Sequence, residues 1–532
     1  MLGRLIQASG VVLLAATIPV TLPAQSGVPD ADWRTYNRTV AGDRFSPLTE
    51  ITRANVGQLR EVCRYALPEV TSLQTGPIVI AGVLYFTTDT ISYAIDAASC
   101  AERWKYVRHS ATPHPLAVHR GFAYLDGRLF RGTSDGQVFA LNASDGRLLW
   151  EHVIAEKTPG MGMPMAPIAW NGLVYIGTAG GDIVGVTGHV YALDPADGHV
   201  VWRFDVVPDT GVGRTTWTNP RLPKSGGGFW TSFTLDENRG VLLVPAGNPA
   251  PDFDIELRTG DNLYTNSVIA LDARTGRLLG YNQVVKHDSH DWDVDSPPIV
   301  VTTRGGRAIV ASANKNGLLS VLDRSRTTTL PVLWERPITT RQNADAPLSR
   351  DSIVRFCPGF VGGVEWNGAA YSPQTNLLYV GAVDWCSRVQ LKRDTSEIPP
   401  AGTPWFGNEG PVSAAMFDPP EGARGWVTAF DAESGTVRWK YQASRPILAG
   451  VTPTAGGVVF AADLGGRVYA FDAASGKIVW QIDTGQSAGG GLVTYQAGGR
   501  QLVAMASGMK SPIWPGGSDA SRIVVYGLPF IQ

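Results

Sequence analysis

Short runs that alternate hydrophobic and polar residues recur along most of the chain. Three of them begin at Gly127, Gly172 and Gly457 and are written GRLFRGTSDGQVFAL, GLVYIGTAGG and GVVFAADLGGRVYAF. Alternation with a period of two, together with many β-branched residues, predicts β-strands. The Asp and Gly residues between the runs are typical of tight turns. The pattern therefore predicts a repeating unit of strand, turn and strand.

A sequence repeat accompanies these runs. An alanine is followed two residues later by Asp, then by Gly four residues further on, and by Trp after another four. Copies occupy Ala140–Trp150 (with Asn142 in place of Asp), Ala192–Trp202, Ala429–Trp439 and Ala470–Trp480. A Trp at the same place in each unit would dock one sheet on the next and bury a large apolar surface.

Three further copies depart from the repeat. In Ala94–Trp104, Cys100 occupies the glycine position, Ala270–Gly280 has lost the Trp, and Val321–Trp334 is a stretched version. Seven copies can thus be counted, and the C-terminal strands QLVAMASGM and SRIVVYGL would form an eighth unit closed by the N-terminal segment. Units of this length cannot bury their faces alone. They predict an all-β fold, an eight-bladed β-propeller with tryptophan-docking motifs.

The N-terminus has the features of an export signal. Arg4 supplies positive charge, residues 11–20 form a short apolar run, and Leu22, Pro23 and Ala24 offer a cleavage site. The alternative is a membrane anchor, for which the run is short. We therefore expect a signal peptide over residues 1–24, a single propeller domain over residues 25–532, a periplasmic location and no membrane span after signal removal.

The overall charge limits the class of partner. The chain has 532 residues, a formal net charge of −2 and 17% charged residues. A protein that binds nucleic acid or an anionic membrane would be expected to carry a basic excess. Neither is therefore expected as a partner.

Four cysteines are present: Cys63, Cys100, Cys357 and Cys386. None forms a CxxC pair, so neither structural zinc nor a CxxCH haem attachment is supported. In an oxidising compartment two disulfides are expected, and four cysteines permit three pairings. Proximity in sequence favours Cys63–Cys100 and Cys357–Cys386, while four buried free thiols are the alternative.

Several segments, in their order along the chain, resemble the pyrroloquinoline quinone (PQQ)-dependent alcohol dehydrogenases. Besides the tryptophan repeat, they are DWRTYNRTVAGDRFSPLTEITRANVGQL, GNPAPDFD with GDNLYTNSVIALDARTG, HDSHDWDVD, NKNGLLSVLDR, FCPGFVGGVEWNGAAYSP and TPTAGGVVF. Any one short match is weak, but their common order identifies the chain as a member of this family. The resemblance extends along nearly the whole mature chain and implies oxidation of a primary or secondary alcohol to a carbonyl.

The resemblance implies that Asp291, in HDSHDWDVD, is the catalytic base. Alcohol oxidation needs such a base because a hydroxyl group is a very weak acid. The neighbouring aspartates of this segment would repel one another unless they were exposed or bound to a metal. A solvated acidic loop is the alternative interpretation.

A bound cation is the second implication. The resemblance places Asp182, Asn248, Asp291 and Asp293 at the metal, with Ca²⁺ as the expected ion and a lanthanide as the alternative. Hard cations of this kind take oxygen ligands from carboxylates and amides. Asp182 stands where many members carry glutamate, and Asn248 could equally stabilise a turn before Pro249.

The resemblance also assigns four residues to the PQQ pocket: Arg120, Trp230, Lys315 and Asp384. Trp230 would stack on the planar cofactor, Arg120 would hold one of its carboxylates, and Lys315 would polarise its quinone oxygens. Asp384 replaces an asparagine expected near the quinone. The alternatives are core packing for Trp230 and surface charges for Arg120 and Lys315.

The chain departs from the methanol dehydrogenase pattern in two further places. Residues 114–119 lack the adjacent cysteines that form a vicinal disulfide over PQQ, and residues 163–167 lack a threonine that often touches the cofactor. The spacing of Cys357 and Cys386, by contrast, resembles a family disulfide. These departures do not favour a particular alcohol.

Electrons must leave the reduced cofactor, and the absence of CxxCH from the sequence implies a separate c-type cytochrome or similar carrier. Two other hypotheses remain. One is a non-enzymatic propeller scaffold like the outer-membrane assembly lipoproteins, which share the repeat. The other is an enzyme that has lost PQQ binding.

Overall fold

The computed structural model describes residues 29–110, 118–155 and 159–529. The predicted signal peptide lies outside the described residues. The described chain is almost entirely β-structure, with one short helix, α1 (Gly211–Thr215), and 3₁₀ turns at Val56–Gln58, Ala414–Met416 and Pro420–Gly422. Within these ranges no helix is long and apolar enough to cross a membrane.

Eight four-stranded antiparallel sheets, here called blades 1 to 8, make up the described structure. The strands are β1 (Arg60–Ala66), β2 (Ile78–Ile80), β3 (Val83–Thr87), β4 (Ile91–Asp96), β5 (Glu102–Val107), β6 (Ala123–Leu125), β7 (Arg128–Gly132), β8 (Gln137–Asn142), β9 (Leu148–Val153), β10 (Ile168–Trp170), β11 (Leu173–Gly177), β12 (His189–Leu193), β13 (Val200–Asp205), β14 (Thr234–Asp236), β15 (Val241–Pro245), β16 (Ser267–Asp272), β17 (Leu278–Gln283), β18 (Ile299–Thr302), β19 (Ala308–Ala313), β20 (Leu318–Asp323), β21 (Val332–Pro337), β22 (Val354–Phe356), β23 (Ala369–Ser372), β24 (Leu377–Asp384), β25 (Ser387–Val389), β26 (Arg424–Asp431), β27 (Val437–Ala443), β28 (Thr452–Pro453), β29 (Val458–Ala462), β30 (Arg467–Asp472), β31 (Ile478–Asp483), β32 (Leu492–Ala497), β33 (Arg500–Ser507) and β34 (Arg522–Gly527).

The strand order confirms the predicted eight-bladed propeller. Blades 1 to 5 are built from consecutive strands, β2–β5 through β18–β21, and blade 7 from β28–β31. Blade 6 has the order β23-β24-β26-β27, and β25, in the insertion between β24 and β26, pairs with β22 from the segment before β23. Blade 8 has the order β1-β34-β33-β32, so the first strand of the chain pairs with the last. The ring is closed through that pairing.

The tryptophan repeat forms the contact between neighbouring blades. The indole Nε1 of Trp104, Trp150, Trp202 and Trp439 donates a hydrogen bond of 3.0 to 3.1 Å to a backbone carbonyl in the next blade's turn. Each of these residues lies on the outermost strand of its blade. The indole therefore satisfies its polar atom while its rings pack between two sheets.

The spacing of the repeat follows from this contact. Ala470 pairs with Trp480 across β30 and β31, so a small buried residue lies opposite each large ring. The Asp472 carboxylate accepts hydrogen bonds from the backbone of Ala474 and Ser475, which closes the turn. Gly476 has a φ of +71°, and a Cβ there would lie 2.5 Å from the Trp439 ring. Glycine is needed both for its conformation and for the room it leaves.

Among the described blades, three interfaces lack the packing of a Trp ring on a glycine turn: blade 4 with blade 5, blade 7 with blade 8, and blade 8 with blade 1. Gly280 pairs with Ala270 at the place where other copies carry Trp. Thr327 and Thr328, in the lengthened turn of blade 5, approach so closely that a Cβ on Gly280 would overlap them. In blade 7, Trp480 packs edge-on against Tyr526 of blade 8, with ring centroids 5.8 Å apart.

A disulfide replaces the tryptophan contact where blade 8 meets blade 1. Cys63 on β1 pairs with Val525, in the position that Trp occupies in the other blades, and Cys100 lies in the glycine position of the blade 1 turn. The two cysteines are bonded to each other, as are Cys357 and Cys386. Both predicted pairings are therefore confirmed, and the alternative of four free thiols is wrong.

The segment before β1 runs across the first strands of five blades. These first strands contact one another from blade to blade around the ring. The backbone of residues 33–46 hydrogen-bonds to blades 1, 4, 5, 6 and 7 at Val79, Leu235, Val300, Tyr371 and Pro453. Buried Arg44 strengthens the attachment by donating to the carbonyl of Val451, 3.1 Å away. The segment thus covers one end of the ring's centre.

Replacing both cysteines of the closing disulfide with serine should lower the free energy of unfolding by about 4 kcal/mol, because the bond closes a long loop of chain. The sequence separation is 37 for Cys63–Cys100 and 29 for Cys357–Cys386, so the second pair is a matched control in denaturant unfolding. Limited proteolysis should release β1 only in the Cys63→Ser/Cys100→Ser protein. Equal protease resistance of the two double variants would contradict the closing role.

Gly476→Ala should destabilise the protein more than Gly485→Ala. Both glycines have positive φ, +71° and +66°, but among the described residues no heavy atom lies within 4 Å of a Cβ built on Gly485. Each change should cost about 1–2 kcal/mol for the conformation, and Gly476→Ala about 1–3 kcal/mol more for overlap with Trp439. Chemical denaturation measures both, and equal losses would show that the tryptophan contact imposes no steric demand.

Candidate active site

Loops that leave the blades bring most of the predicted site residues together. Asp182 follows β11, Trp230 precedes β14, Asn248 follows β15, Asp291 lies between β17 and β18, and Lys315 follows β19. The rigid sheets on both sides fix where each loop starts and ends. Side chains far apart in sequence are therefore held at one location.

Three carboxylates form a cluster at this location. One oxygen each of Asp182, Asp252 and Asp291 lies within 4.8 Å of the others. Asp182 is half-buried, while Asp252 and Asp291 are buried. Three oxygen donors so arranged suit a hard metal cation.

Asp252 was not among the residues predicted from the sequence. It is 0% exposed, and neither of its carboxylate oxygens has a hydrogen-bond partner among the described residues. Burial raises the pKa of Asp252 well above its usual range, and the charge of Asp182 adds to the effect. The signal available in the sequence was its place in GNPAPDFD, four residues beyond Asn248.

Asp291 is held in an unusual backbone conformation, with a φ of +58°. The loop is shaped by Asp288, whose carboxylate accepts hydrogen bonds of 3.0 Å from the backbone of His290 and Trp292. A strained non-glycine residue persists only where its surroundings enforce it, and such residues cluster at functional sites. Burial raises the pKa of Asp291 well above its usual range, opposed by the positive charge of Lys315.

Asp293 lies beside the cluster and is already engaged. One of its oxygens is 2.8 Å from the Lys315 ammonium, and the other accepts a hydrogen bond of 2.8 Å from the Asn248 backbone. A Cβ on Gly247 would lie 2.6 Å from Asp293, so only glycine fits there. Asp293 therefore positions Lys315 and the Asn248 loop.

Asn248 and Lys315 also act on the cluster itself. The Lys315 ammonium is 3.7 Å from the Asp291 carboxylate. Burial and the charge of Asp293 raise the pKa of Asp182 to about 6, while Lys315 and a hydrogen bond from Asn248 oppose the rise. The predicted metal residues Asp182, Asn248 and Asp291 are thus brought together.

Close backbone contacts explain why the surrounding loops are rich in glycine. A Cβ on Gly188 would lie 1.7 Å from the Gly227 carbonyl oxygen, and one on Gly228 would lie 3.0 Å from the Gly181 nitrogen. The loop that carries Asp182 therefore lies directly against the loop that carries Trp230. Any side chain at these positions would force the two loops apart.

A ring surface and two cations form the neighbouring wall. The guanidinium of Arg120 is 4.9 Å from the centre of the Trp230 ring, and the Lys315 ammonium is 5.6 Å from it. Arg120 also lies 5.0 Å from the Trp366 ring and donates to Gln74 at 2.7 Å. Its Nε atom has no hydrogen-bond partner within the described ranges. Such a wall suits a planar, anionic molecule.

Glu365 is a second acid near the site that was not predicted from the sequence. It is buried, and its Oε1 lacks a hydrogen-bond partner in the part of the chain that the structure describes. Burial raises its pKa to about 7, opposed first by the charge of Lys315. The residue belongs to FCPGFVGGVEWNGAAYSP, where a buried acid beside Trp366 was the available signal.

Asp384 is not brought together with the other predicted residues. Its carboxylate accepts hydrogen bonds from the Thr340 hydroxyl at 2.9 Å and from the Trp426 indole at 2.7 Å. Asp384 is the last residue of β24, and Trp426 on β26 pairs with Ala382, two residues earlier, so the alternation of side chains puts Asp384 and Trp426 on the same face of the sheet. Its assignment to the cofactor remains a sequence-based prediction.

Most of the chain matches one family of known proteins. The family model described as PQQ, glucose/ethanol/alcohol dehydrogenase, β-propeller domain, matches residues 33–350. A second model, outer membrane protein assembly factor BamB, matches residues 423–514. Quinoprotein alcohol dehydrogenase PedH of Pseudomonas putida is 29% identical, and the match covers 91% of this chain and 87% of that protein.

Solved structures give the same result. The quinohemoprotein alcohol dehydrogenase of Comamonas testosteroni superposes with a TM-score of 0.84 at 25% identity, covering 94% of this chain and 81% of that one. A europium-containing methanol dehydrogenase superposes with a TM-score of 0.84 at 25% identity, covering 94% and 98%. The chain is thus similar to such proteins over most of its described length.

Lys315→Met should destabilise the metal-free protein by about 3–5 kcal/mol, because it leaves Asp293 buried without its counter-ion. Adding Asp293→Asn should recover part of that loss, since the second change removes the uncompensated charge. Chemical denaturation of both single variants and the double variant measures the coupling. A double variant that loses the full sum of the two single effects would show that the two side chains are not paired.

Proposed function

Because the chain belongs to the PQQ-dependent glucose/ethanol/alcohol dehydrogenase family of β-propellers, we propose that it oxidises a primary or secondary alcohol to a carbonyl. The main support is one arrangement of side chains. Asp291, a member of the acidic cluster with a raised pKa, lies 3.7 Å from the Lys315 ammonium, which is itself 5.6 Å from the centre of the Trp230 ring. Such a site combines a base, a fixed cation and a platform for a planar cofactor.

The residues of the wall fit PQQ, which is planar and has three carboxylates. Trp230 offers a ring face, Arg120 has a free Nε donor and a second aromatic contact with Trp366, and Lys315 lies at the edge nearest Asp291. When bound, PQQ supplies a quinone that accepts a hydride from the alcohol carbon. Arg120 and Lys315 would orient the cofactor, and their fixed positive charges would stabilise the negative charge that develops on its quinone.

The acidic cluster fits the family's cation. Asp182 and Asp291 offer carboxylate oxygens and Asn248 an amide oxygen, the donor set that Ca²⁺ and other hard ions bind. Asp293 would hold this set in place through its ion pair with Lys315 and its hydrogen bond from the Asn248 backbone. The cation would make Asp291 and the substrate pocket less repulsive to additional negative charge.

Asp291 would take the proton from the alcohol hydroxyl. A general base works best when its pKa lies near the working pH, and burial raises the pKa of Asp291 in that direction. Lys315 would stabilise the ionised carboxylate and hold it in place. Asp291 lies in a loop with a positive φ, and one of its carboxylate oxygens belongs to the acidic cluster.

The family implies an electron acceptor, and we propose that a separate c-type cytochrome fills this role. The sequence contains no CxxCH, while several relatives are named quinohemoproteins. A periplasmic location is proposed from the N-terminal export signal and is supported by the two disulfides, which persist in oxidising compartments.

The non-enzymatic scaffold hypothesis receives less support. The assembly-factor match covers residues 423–514, which contain strands β26–β33 and only the repeat itself. None of the clustered residues between Arg120 and Glu365 falls in that range. A scaffold would also have no use for buried carboxylates without partners, which cost stability.

Asp291→Asn should reduce alcohol oxidation at least about a hundredfold while leaving PQQ content nearly unchanged, because the amide keeps an oxygen near the cation but cannot accept the proton. The measurement is dye-linked activity of purified protein loaded with PQQ and Ca²⁺ or La³⁺. Asp261→Asn is the control, since its side chain is 55% exposed and should leave the rate at the parent level. Parent-like turnover of Asp291→Asn at matched PQQ content would remove Asp291 from the role of base.

A further inference from the structure

Asp252 is the one member of the acidic cluster without an assigned role. It is fully buried, and both of its oxygens lack hydrogen-bond partners among the residues that the structure describes. A buried ionised group is expensive unless it is paired or coordinates a metal. One of its oxygens lies within 4.8 Å of oxygens of both Asp182 and Asp291. A partner for the Asp252 carboxylate would therefore lie at the centre of the cluster.

The neighbouring arginine does not supply that partner. Arg258 is buried and donates to the backbone carbonyls of Pro251 and Asp252, at 2.7 and 2.9 Å, and to the backbone of Asp288. Its guanidinium thus fixes the course of the Asp252 loop. The Asp252 side chain is left pointing at the other carboxylates.

Asp293 is not the third carboxylate of the cluster, because both of its oxygens already have partners. Its two oxygens are engaged by the Lys315 ammonium and the Asn248 backbone, each at 2.8 Å. Lys315 is closer to Asp293 than to Asp291, at 2.8 Å against 3.7 Å, so its positive charge mainly offsets that of Asp293. The uncompensated charge then belongs to Asp182, Asp252 and Asp291, which together carry three negative charges when ionised.

We propose that Asp252 is a direct ligand of the active-site cation, and that this third carboxylate gives the site a preference for a trivalent lanthanide over Ca²⁺. The inference rests on the proposed function, which places a cation among these residues. Three carboxylates balance one trivalent ion, and affinity in oxygen-ligand sites depends on the number of charged ligands. Ca²⁺ would leave one negative charge uncompensated in a buried site.

Calorimetric titration of metal-stripped protein with LaCl₃ or CaCl₂, each with PQQ present, tests the inference without measuring activity. The parent should bind La³⁺ more tightly than Ca²⁺. In Asp252→Asn the ratio of the two affinities should fall about tenfold or more, because the lost charge matters most to the trivalent ion. Asp252→Glu should keep the preference, since it retains the carboxylate.

Two matched variants separate this role from a merely structural one. Asp254 lies in the same loop, but its carboxylate is paired with Arg350 at 2.9 Å, so Asp254→Asn should leave the affinity ratio unchanged. The metal-free Asp252→Asn protein should melt at or above the parent temperature, because the change removes a buried carboxylate without a partner. A structural aspartate would instead lower the melting temperature on replacement.

Three results would overturn the inference. The first is a parent that binds Ca²⁺ as tightly as La³⁺. The second is an Asp252→Asn protein that keeps the parent's ratio of La³⁺ to Ca²⁺ affinity. The third is a ratio that falls in Asp293→Asn but not in Asp252→Asn. The comparison of La³⁺ and Ca²⁺ affinity in the parent does not depend on whether any variant folds. Failure of the proposed function would look different, as absence of alcohol oxidation by the parent with PQQ and either ion, whatever the binding ratio.

Discussion

The packing of a tryptophan on the glycine turn of the next blade is the contact on which the rest of this structure depends. A four-stranded blade has two apolar faces and cannot bury either alone, so each blade is stable only against its neighbours. The Trp439 indole fits because Gly476 has no side chain, and its Nε1 is satisfied by the Ala473 carbonyl. Where the contact is missing, the chain fills the same space with the blade 5 turn or with the Cys63–Cys100 disulfide.

The rigid ring holds together an active site whose carboxylates repel one another. Four aspartates, Asp182, Asp252, Asp291 and Asp293, are held near one ammonium group, that of Lys315. Their mutual repulsion would open a flexible loop cluster, but the blades fix the ends of every loop, and close glycine contacts fix the loops against each other. Charge complementarity to a cation and to an anionic planar cofactor is thereby built in before either binds.

Within this site the aspartates have different tasks, although they look alike in sequence. Asp288 shapes its loop through backbone hydrogen bonds, and Asp293 pairs with Lys315 and supports the Asn248 loop. Asp252 has no hydrogen-bond partner for either oxygen among the described residues, and the carboxylate of Asp291 is only 3.7 Å from the Lys315 ammonium. The division follows from which carboxylates already have donors, since a satisfied carboxylate has less to gain from a metal.

The sequence by itself determined the fold, the closing of the ring and most of the site. The repeat has local causes, because alternation, the Asp turn and the Gly–Trp spacing each depend on a few neighbouring residues. Family motifs located Asp182, Asn248, Asp291, Lys315, Arg120 and Trp230, which the structure brings together, and sequence proximity paired the cysteines correctly. Only the tertiary structure showed where Asp252, Glu365 and Asp384 lie and which groups surround them. Whether a buried acid contacts a donor, a cation or another acid depends on how loops from different blades are placed. The sequence pattern within one loop does not determine the distance to a side chain on another loop.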